Sequence, residues 1–400
     1  MFSRPLLFIA LLSSTPSVLA NETAVPAEFP VCIERLQSTA LERGISRTVV
    51  ERDLAAVNYV ERVIELDRRQ PEFTESFATY FERRVTEDRI VRGRALLVQH
   101  RALLDRISKE YGVPPQYLVS FWGLETNFGG FFGRMPILDS LATLACDPRR
   151  SEFFTGELIN ALKIIDEGSI TAERMQGSWA GAMGHMQFMP SIFLRYATDY
   201  DGDGKRDLWG SLPDAMASAA NFLRGIGWQE GERWGREVHL PAQFPYEKAG
   251  LTTRLPLKEW QALGVRLTDG RALPGLDMEA SLLVPTGHAG PAFLVYDNFH
   301  VIMRWNRAEA YALAVGHLAD RINGAGQLSR TPVQSPRLSR DQVRTLQQTL
   351  NDKGFDAGEP DGILGPGTRA AISRYQASRQ QIADGFPGTP VLAELGVTVE

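Results

Sequence analysis

Between Arg236 and Met303 the chain stops repeating apolar residues every three to four positions and breaks into short runs. Val238-His239-Leu240, Gly264-Val265-Arg266-Leu267, Ala280-Ser281-Leu282-Leu283-Val284-Pro285 and Ala292-Phe293-Leu294-Val295-Tyr296 are separated by Gly and Pro turns and read as strands. On either side the pattern is helical. From Cys32 to about Ile107 good helix formers carry periodic apolar positions, with a break near Gln70-Pro71. One long amphipathic helix is expected over residues 91–111, and others over 152–167 and 190–199. A further one is capped by Ser211, holds Pro213 and Asp214 in its first turn, and ends near Arg224 before Gly225 and Gly227. Helix resumes over 307–322, with Tyr311, Val315, Leu318 and Ile322 on one face. The fold class is therefore mainly α (α+β), a helical body with a small β-rich insertion.

Residues 324–337 are rich in Gly, Ser, Pro and Gln without periodicity and read as a linker. Residues 338–398 form a separate compact unit of three helices: one through Arg340 to Leu350, one reaching Tyr375 after the turn-rich Asp361-Gly362-Ile363-Leu364-Gly365-Pro366-Gly367-Thr368, and a short third.

The first twenty residues combine Arg4, the apolar run Leu6-Leu7-Phe8-Ile9-Ala10-Leu11-Leu12 and the small-residue end Val18-Leu19-Ala20, the pattern of a secretory signal peptide cut near Ala20. No later stretch approaches the length of a membrane span. Residues 21–323 then form the main domain, in an exported, periplasmic chain. A net charge of −5 with scattered basic residues argues against a nucleic-acid partner. The only cysteines are Cys32 and Cys146. An oxidising compartment permits them to pair, and a bridge closing so long a loop would contribute roughly 4 to 5 kcal/mol on a chain-entropy estimate; two separate buried thiols are the alternative.

After the turn Gly112-Val113-Pro114-Pro115, the side chains of Leu118, Phe121, Trp122 and Glu125 fall at i, i+3, i+4 and i+7, which sets a carboxylate on an apolar helix stripe. Lost hydration and the nearby helix C-terminus would both raise its proton affinity, as a general acid requires. The alternative is a Glu that turns out to solvent. Gly177-Ser178-Trp179-Ala180-Gly181-Ala182-Met183-Gly184-His185-Met186-Gln187-Phe188-Met189-Pro190 mixes glycine with large apolar residues, which suits either close approach to a ligand or plain turns. His185 there stands apart from other ligand types and reads as a wall residue. No Ser-His-Asp spacing, zinc motif or phosphate loop stands out.

Asp199-Tyr200-Asp201-Gly202-Asp203-Gly204-Lys205-Arg206-Asp207 follows the start of a calcium-binding EF-hand loop, with Asp199, Asp201, Asp203 and Asp207 at positions 1, 3, 5 and 9, the Lys205 carbonyl at 7 and glycine at 6. Position 12 is Gly210, so closure would fall to another acid such as Asp214. A weak structural calcium site and a metal-free Asp-Gly turn are both compatible with these residues. No cofactor is otherwise called for.

In chain order, Gly-Leu-Glu125-Thr-Asn-Phe-Gly, Ala180-Gly181-Ala182-Met183-Gly184 with Gln187-Phe188-Met189-Pro190, the acidic loop, and Arg304-Trp305-Asn306 resemble the membrane-bound lytic murein transglycosylase B family over about residues 30–323. Residues 338–398 resemble the peptidoglycan-binding module of cell-wall enzymes through Leu346-Gln347 and Asp361-Gly362-Ile363-Leu364-Gly365. The resemblance implies a lysozyme-like helical core that cleaves the MurNAc-GlcNAc β-1,4 bond without water, leaving 1,6-anhydro ends. It places the catalytic acid on Glu125 and substrate contacts on Ser178, Met183, Gln187, Asn221, Asn306 and Tyr311. Phe222 and Trp305 stand where the family more often shows tyrosine, keeping an aromatic face but losing a phenol. Glycan strands, and other cell-wall enzymes, are the implied partners. A non-catalytic wall-binding scaffold and a hydrolysing muramidase are the rival readings.

Overall fold

The computed structural model describes residues 25–69 and 75–399. The signal peptide and the break at Gln70-Pro71 lie outside these residues. No helix among the described residues is long and apolar enough to cross a membrane.

At the centre lies the helix Pro115–Thr126. Gly112 ends the preceding helix with φ +74°, Pro114 is extended, and Pro115 takes the first helical position, where its missing N–H costs nothing. Asn127 and Phe128 stop the helix in the left-handed region. Every residue from Tyr117 to Gly123 is buried, so the helix is wrapped on all sides and not merely along the expected stripe. Helices Glu87–Gln99 and Glu309–Ile322 pack against it. The Ser120 hydroxyl donates to the Val315 carbonyl at 2.7 Å, and a Cβ at Gly123 would sit 2.8 Å from the Phe128 ring.

The single helix expected over 91–111 is two helices, Glu87–Gln99 and Arg101–Tyr111, broken at His100. Neither Gly nor Pro marks the break, so the apolar period runs through it unchanged. Cys32 and Cys146 form a disulfide that joins helix Glu28–Glu42 to helix Ile137–Cys146.

The β-rich insertion is a five-stranded antiparallel sheet in the order Gly250–Pro256, Glu279–Leu283, Ala292–Val295, Gly235–His239, Arg266–Leu267. Its strands alternate between two cores. Leu283, Phe293 and Val295 join the core of the helical body, while Leu282 and Leu294 face Trp260, Val265 and Tyr296 in a core of the insertion's own. Three elements depart from expectation. Gly250–Pro256 is a strand despite its polar Thr-Thr-Arg, and Leu257–Ala262 and Asp297–Trp305 are helices within the stretch expected to hold strands up to Met303.

The C-terminal unit is built from helices Arg340–Asp352, Pro366–Ser378 and Thr389–Glu394 around Leu346, Leu350, Ile372 and Leu392. Ser339 and Gln342 form a reciprocal cap at its entry. Buried Gln347 explains the local motif: its amide donates to Asp361, the Ile363 carbonyl and Thr368, and its oxygen accepts from the Gly362 N–H. The segment read as a free linker is fastened. Ser329 bonds to the Glu237 carboxylate, Arg330 to the His288 carbonyl, and Gln334 to Thr79 and Glu82. Asp384 then accepts the His288 N–H at 2.9 Å and lies 2.6 Å from its ring Nδ1, clamping the module to the insertion.

Candidate active site

Glu125 stands on the last turn of the central helix and is half-buried. Two donors meet at one of its oxygens: the Trp305 indole N–H reaches Oε1 at 3.0 Å, and the Tyr311 hydroxyl bonds to the same atom. Trp305 ends one helix and Tyr311 opens the next, so the Asn306 turn between them aims both donors at the central helix. Tyr311 is 4 % exposed. Burial, with the Glu125 charge beside it, holds the phenol well above the usual tyrosine range, so it stays a donor at every working pH.

Trp305 is gripped by phenylalanines. Its ring centroid lies 4.4 Å from Phe121, 5.0 Å from Phe222 and 5.5 Å from Phe188. This packing fixes the indole so that its N–H points at the carboxylate. The phenol expected to be missing at this position is therefore replaced by another donor. Phe222 is buried behind Trp305 and against Tyr196, so it supports the wall and offers no open face to a sugar.

The glycine-rich segment packs beside it: the Thr126 hydroxyl donates to the His185 carbonyl at 2.9 Å, and Phe188 lies against Trp305. The Gln187 backbone takes a left-handed turn (φ +49°), and its side-chain Nε2 donates to the carbonyls of Phe132 at 3.0 Å and Gly184 at 3.1 Å. With both amide hydrogens engaged, its Oε1 is left to accept. Ser178 accepts the N–H groups of Ala180 and Ala182, shaping the turn. Met183 is fully buried and its main chain pairs in both directions with Phe188, so it holds the loop together and presents no side chain to a ligand. His185 accepts the Trp122 indole N–H at its Nδ1 (2.9 Å), and burial pushes it down to about 4, which keeps it a neutral wall residue as the sequence suggested.

Asn306 is exposed at the rim, its Oδ1 turned to the Ala308 N–H and its amide hydrogens without a partner among the described residues. Asn221 donates to the Tyr196 carbonyl at 2.9 Å and accepts from Arg224, which ties it to its own helix and the one before. Tyr311, expected as a substrate contact, is buried and bonds to Glu125. The next acid along, Asp139, sits in the first turn of helix Ile137–Cys146 and accepts the Asn58 N–H at 3.2 Å.

In the acidic loop, carboxylate oxygens of Asp199, Asp201 and Asp203 lie within 4.8 Å of one another. Asp199 also accepts the N–H groups of Gly202, Asp203 and Gly204, and Gly202 and Gly204 take the positive φ the loop needs. An all-oxygen set of this kind fits a hard cation such as calcium. Asp207 is turned away, accepting from Trp209 and Gly210, and Lys205 could offer only its main-chain carbonyl. Asp214 does not join the three. Fully buried, it accepts the N–H groups of Tyr200, Asp201 and Asp207 and so staples the two ends of the loop.

Comparison with known proteins adds the lineage of this architecture. Residues 28–320 match the model of the transglycosylase SLT domain, and residues 339–395 that of a peptidoglycan binding domain. Membrane-bound lytic murein transglycosylase B of Escherichia coli (strain K12) is 36% identical over 245 residues, a match spanning 61% of this chain and 66% of that protein, just under two thirds of its length. The crystal structure of SltB3 from Pseudomonas aeruginosa in complex with NAG-anhNAM-pentapeptide superimposes with a TM-score of 0.88 at 44% identity, covering 92% of this chain and 99% of that one. Escherichia coli Slt35 in complex with calcium gives a TM-score of 0.64 at 30% identity, over 73% of this chain and 92% of that chain. With nearly three quarters of its length matched by one model, the chain belongs to the SLT-domain transglycosylase family.

Proposed function

We propose that this chain is a lytic transglycosylase of peptidoglycan, cleaving the MurNAc-GlcNAc β-1,4 bond with Glu125 as its single acid and base. The observation that carries the reading is the convergence of Trp305 and Tyr311 on one oxygen of Glu125, on a helix turn whose Thr126 bonds to the glycine-rich segment at His185. Two neutral donors on one oxygen fix the carboxyl group's rotation without neutralising it through an ion pair. Glu125 gives its proton to the leaving glycosidic oxygen. It then recovers one from the C6 hydroxyl of the same MurNAc as that oxygen closes on C1. A hydrolase of the two-carboxylate kind needs a second acid across the bond. Asp139 is held by Asn58 and serves the fold.

The Asn306 amide hydrogens donate to the N-acetyl carbonyl of the bound sugar, and Gln187 Oε1 accepts from its N–H. That division follows from which of their atoms are already engaged. The same reading extends to a substrate with its peptide attached, since SltB3 is seen with NAG-anhNAM-pentapeptide and with NAG-NAM-pentapeptide. Asp199, Asp201 and Asp203 hold a structural calcium ion, for which Slt35 in complex with calcium is the precedent. Residues 1–20 direct export to the periplasm, residues 21–323 cut, and residues 338–398 hold the wall.

Mass analysis of digested sacculi tests the central claim. Anhydro-MurNAc ends are expected. Reducing ends would make the protein a muramidase, and no release a binding scaffold.

A further inference from the structure

Phe131 is held out of the core beside the central helix. It is 59 % exposed and is not among the residues packed on the core of the helical body. Its neighbour Phe132 faces the His185 ring at 4.7 Å, and Phe153, the other exposed phenylalanine, lies on Phe154 at 5.0 Å. The Phe131 ring has no such aromatic contact among the described residues. A lone apolar side chain on a loose surface loop would need no explanation.

This loop is tied down on both sides of the ring. The Gly130 N–H donates to the Asn127 carbonyl at 3.3 Å, and the Phe131 N–H to the Thr126 carbonyl at 3.0 Å. The Phe132 carbonyl accepts the Gln187 amide at 3.0 Å. Gly133 then takes φ +94° where the Gly177 carbonyl leaves no room for a Cβ, and Met135–Pro136 pairs with Gln176–Gly177. These bonds also locate the ring's attachment point. Thr126 follows Glu125 directly, so bond lengths bring the Phe131 nitrogen within about 10 Å of the Glu125 Cα. One residue further on, the chain holds Gln187. Phe131 therefore sits between the acid and the amide assigned above to the N-acetyl group.

The chemistry selects what such a ring can take. A β-1,4-linked sugar of the GlcNAc type carries its substituents around its edge, so each flat face is a set of axial C–H bonds, apolar and slightly positive. An aromatic face is slightly negative. A ring already held in place on a fastened loop gives up little freedom when a sugar covers it.

We propose that Phe131 is a platform on which a sugar ring of the glycan strand stacks next to the cleaved bond. The proposal rests on the peptidoglycan reading above. Phe222 is buried and Trp305 is packed among phenylalanines, so the open aromatic face is supplied by the loop after the catalytic helix.

The full chain carrying Glu125→Gln, which binds without cutting, is titrated calorimetrically with a peptide-free GlcNAc-MurNAc tetrasaccharide. Adding Phe131→Ala should weaken binding about tenfold. Phe131→Leu, still apolar but without a flat face, should weaken it nearly as much, and Phe131→Tyr should bind like the parent. With Glu125 intact, the Ala and Leu variants should raise KM and leave kcat close to the parent's. Parent-like binding by Phe131→Ala, or by Phe131→Leu, overturns the platform while anhydro ends from the parent keep the lytic reading. A loss confined to peptide-bearing strands would put the ring against the peptide and overturns it as well. Tetrasaccharide binding that depends on Phe131 without any anhydro product would sink the lytic reading and leave the platform standing.

Discussion

The molecule holds carboxylates in two contrasting ways. Around Glu125 the donors are side chains, an indole and a phenol that come from 180 and 186 residues further along the chain. In the acidic loop the donors to Asp199, Asp203 and Asp214 are backbone N–H groups, and none of these bonds spans more than fourteen residues. The loop is a local object, shaped by glycines and short-range turns; Asp199, Asp201 and Asp203 stay exposed, while Asp214 is buried. The Glu125 site exists only when the helix before Asn306 and the helix after it dock on the central helix. A carboxylate satisfied by its own neighbours is set by local turn chemistry, whereas one left to distant donors depends on how whole helices dock.

This contrast makes separate demands on activity and stability. Glu125→Gln keeps the size and an accepting oxygen for Trp305 and Tyr311 but removes the transferable proton, so turnover should fall by on the order of a thousandfold or more while glycan binding and melting temperature stay near the parent's. Retained turnover would remove Glu125 from its role. Asp214→Ala is the converse case. It strands three backbone N–H groups in a buried place, and denaturant unfolding should show a loss of roughly 3 kcal/mol, with residual folded enzyme still active. If stability were unchanged, the staple would be an ornament of the loop.

Tyr311→Phe takes one of the two donors away without altering the cage. It should lower kcat about tenfold with little change in KM, since the donor holds the acid and does not contact the sugar in the ground state. A rise in KM alone would return Tyr311 to the substrate-contact role that the sequence suggested.

Much of the architecture was legible beforehand because it depends on near neighbours. The Ser211 cap and the glycine-marked acidic loop are both decided within a few residues. The helix Asp297–Trp305 was hidden because the strands before it are buried on both faces and share its apolar content. The break at His100 was hidden because nothing in the local chemistry marks it. Met183 and Tyr311 lie on motif positions, yet both are buried, Met183 with its main chain paired to Phe188 and Tyr311 bonded to Glu125. A motif records where a residue stands in the chain and not which way its atoms are aimed.

By itself the sequence determined the helical body, the β-rich insertion, the C-terminal unit and the position of the one carboxylate set among apolar neighbours, because periodicity, capping and turn chemistry act over a few residues. Only the tertiary structure decided that Trp305 would stand in for a phenol, that the linker would be fastened, and that Asp384 would clamp the C-terminal module to His288 of the insertion. Each of these depends on donors and acceptors separated by tens to hundreds of residues, and packing alone brings them within bonding distance.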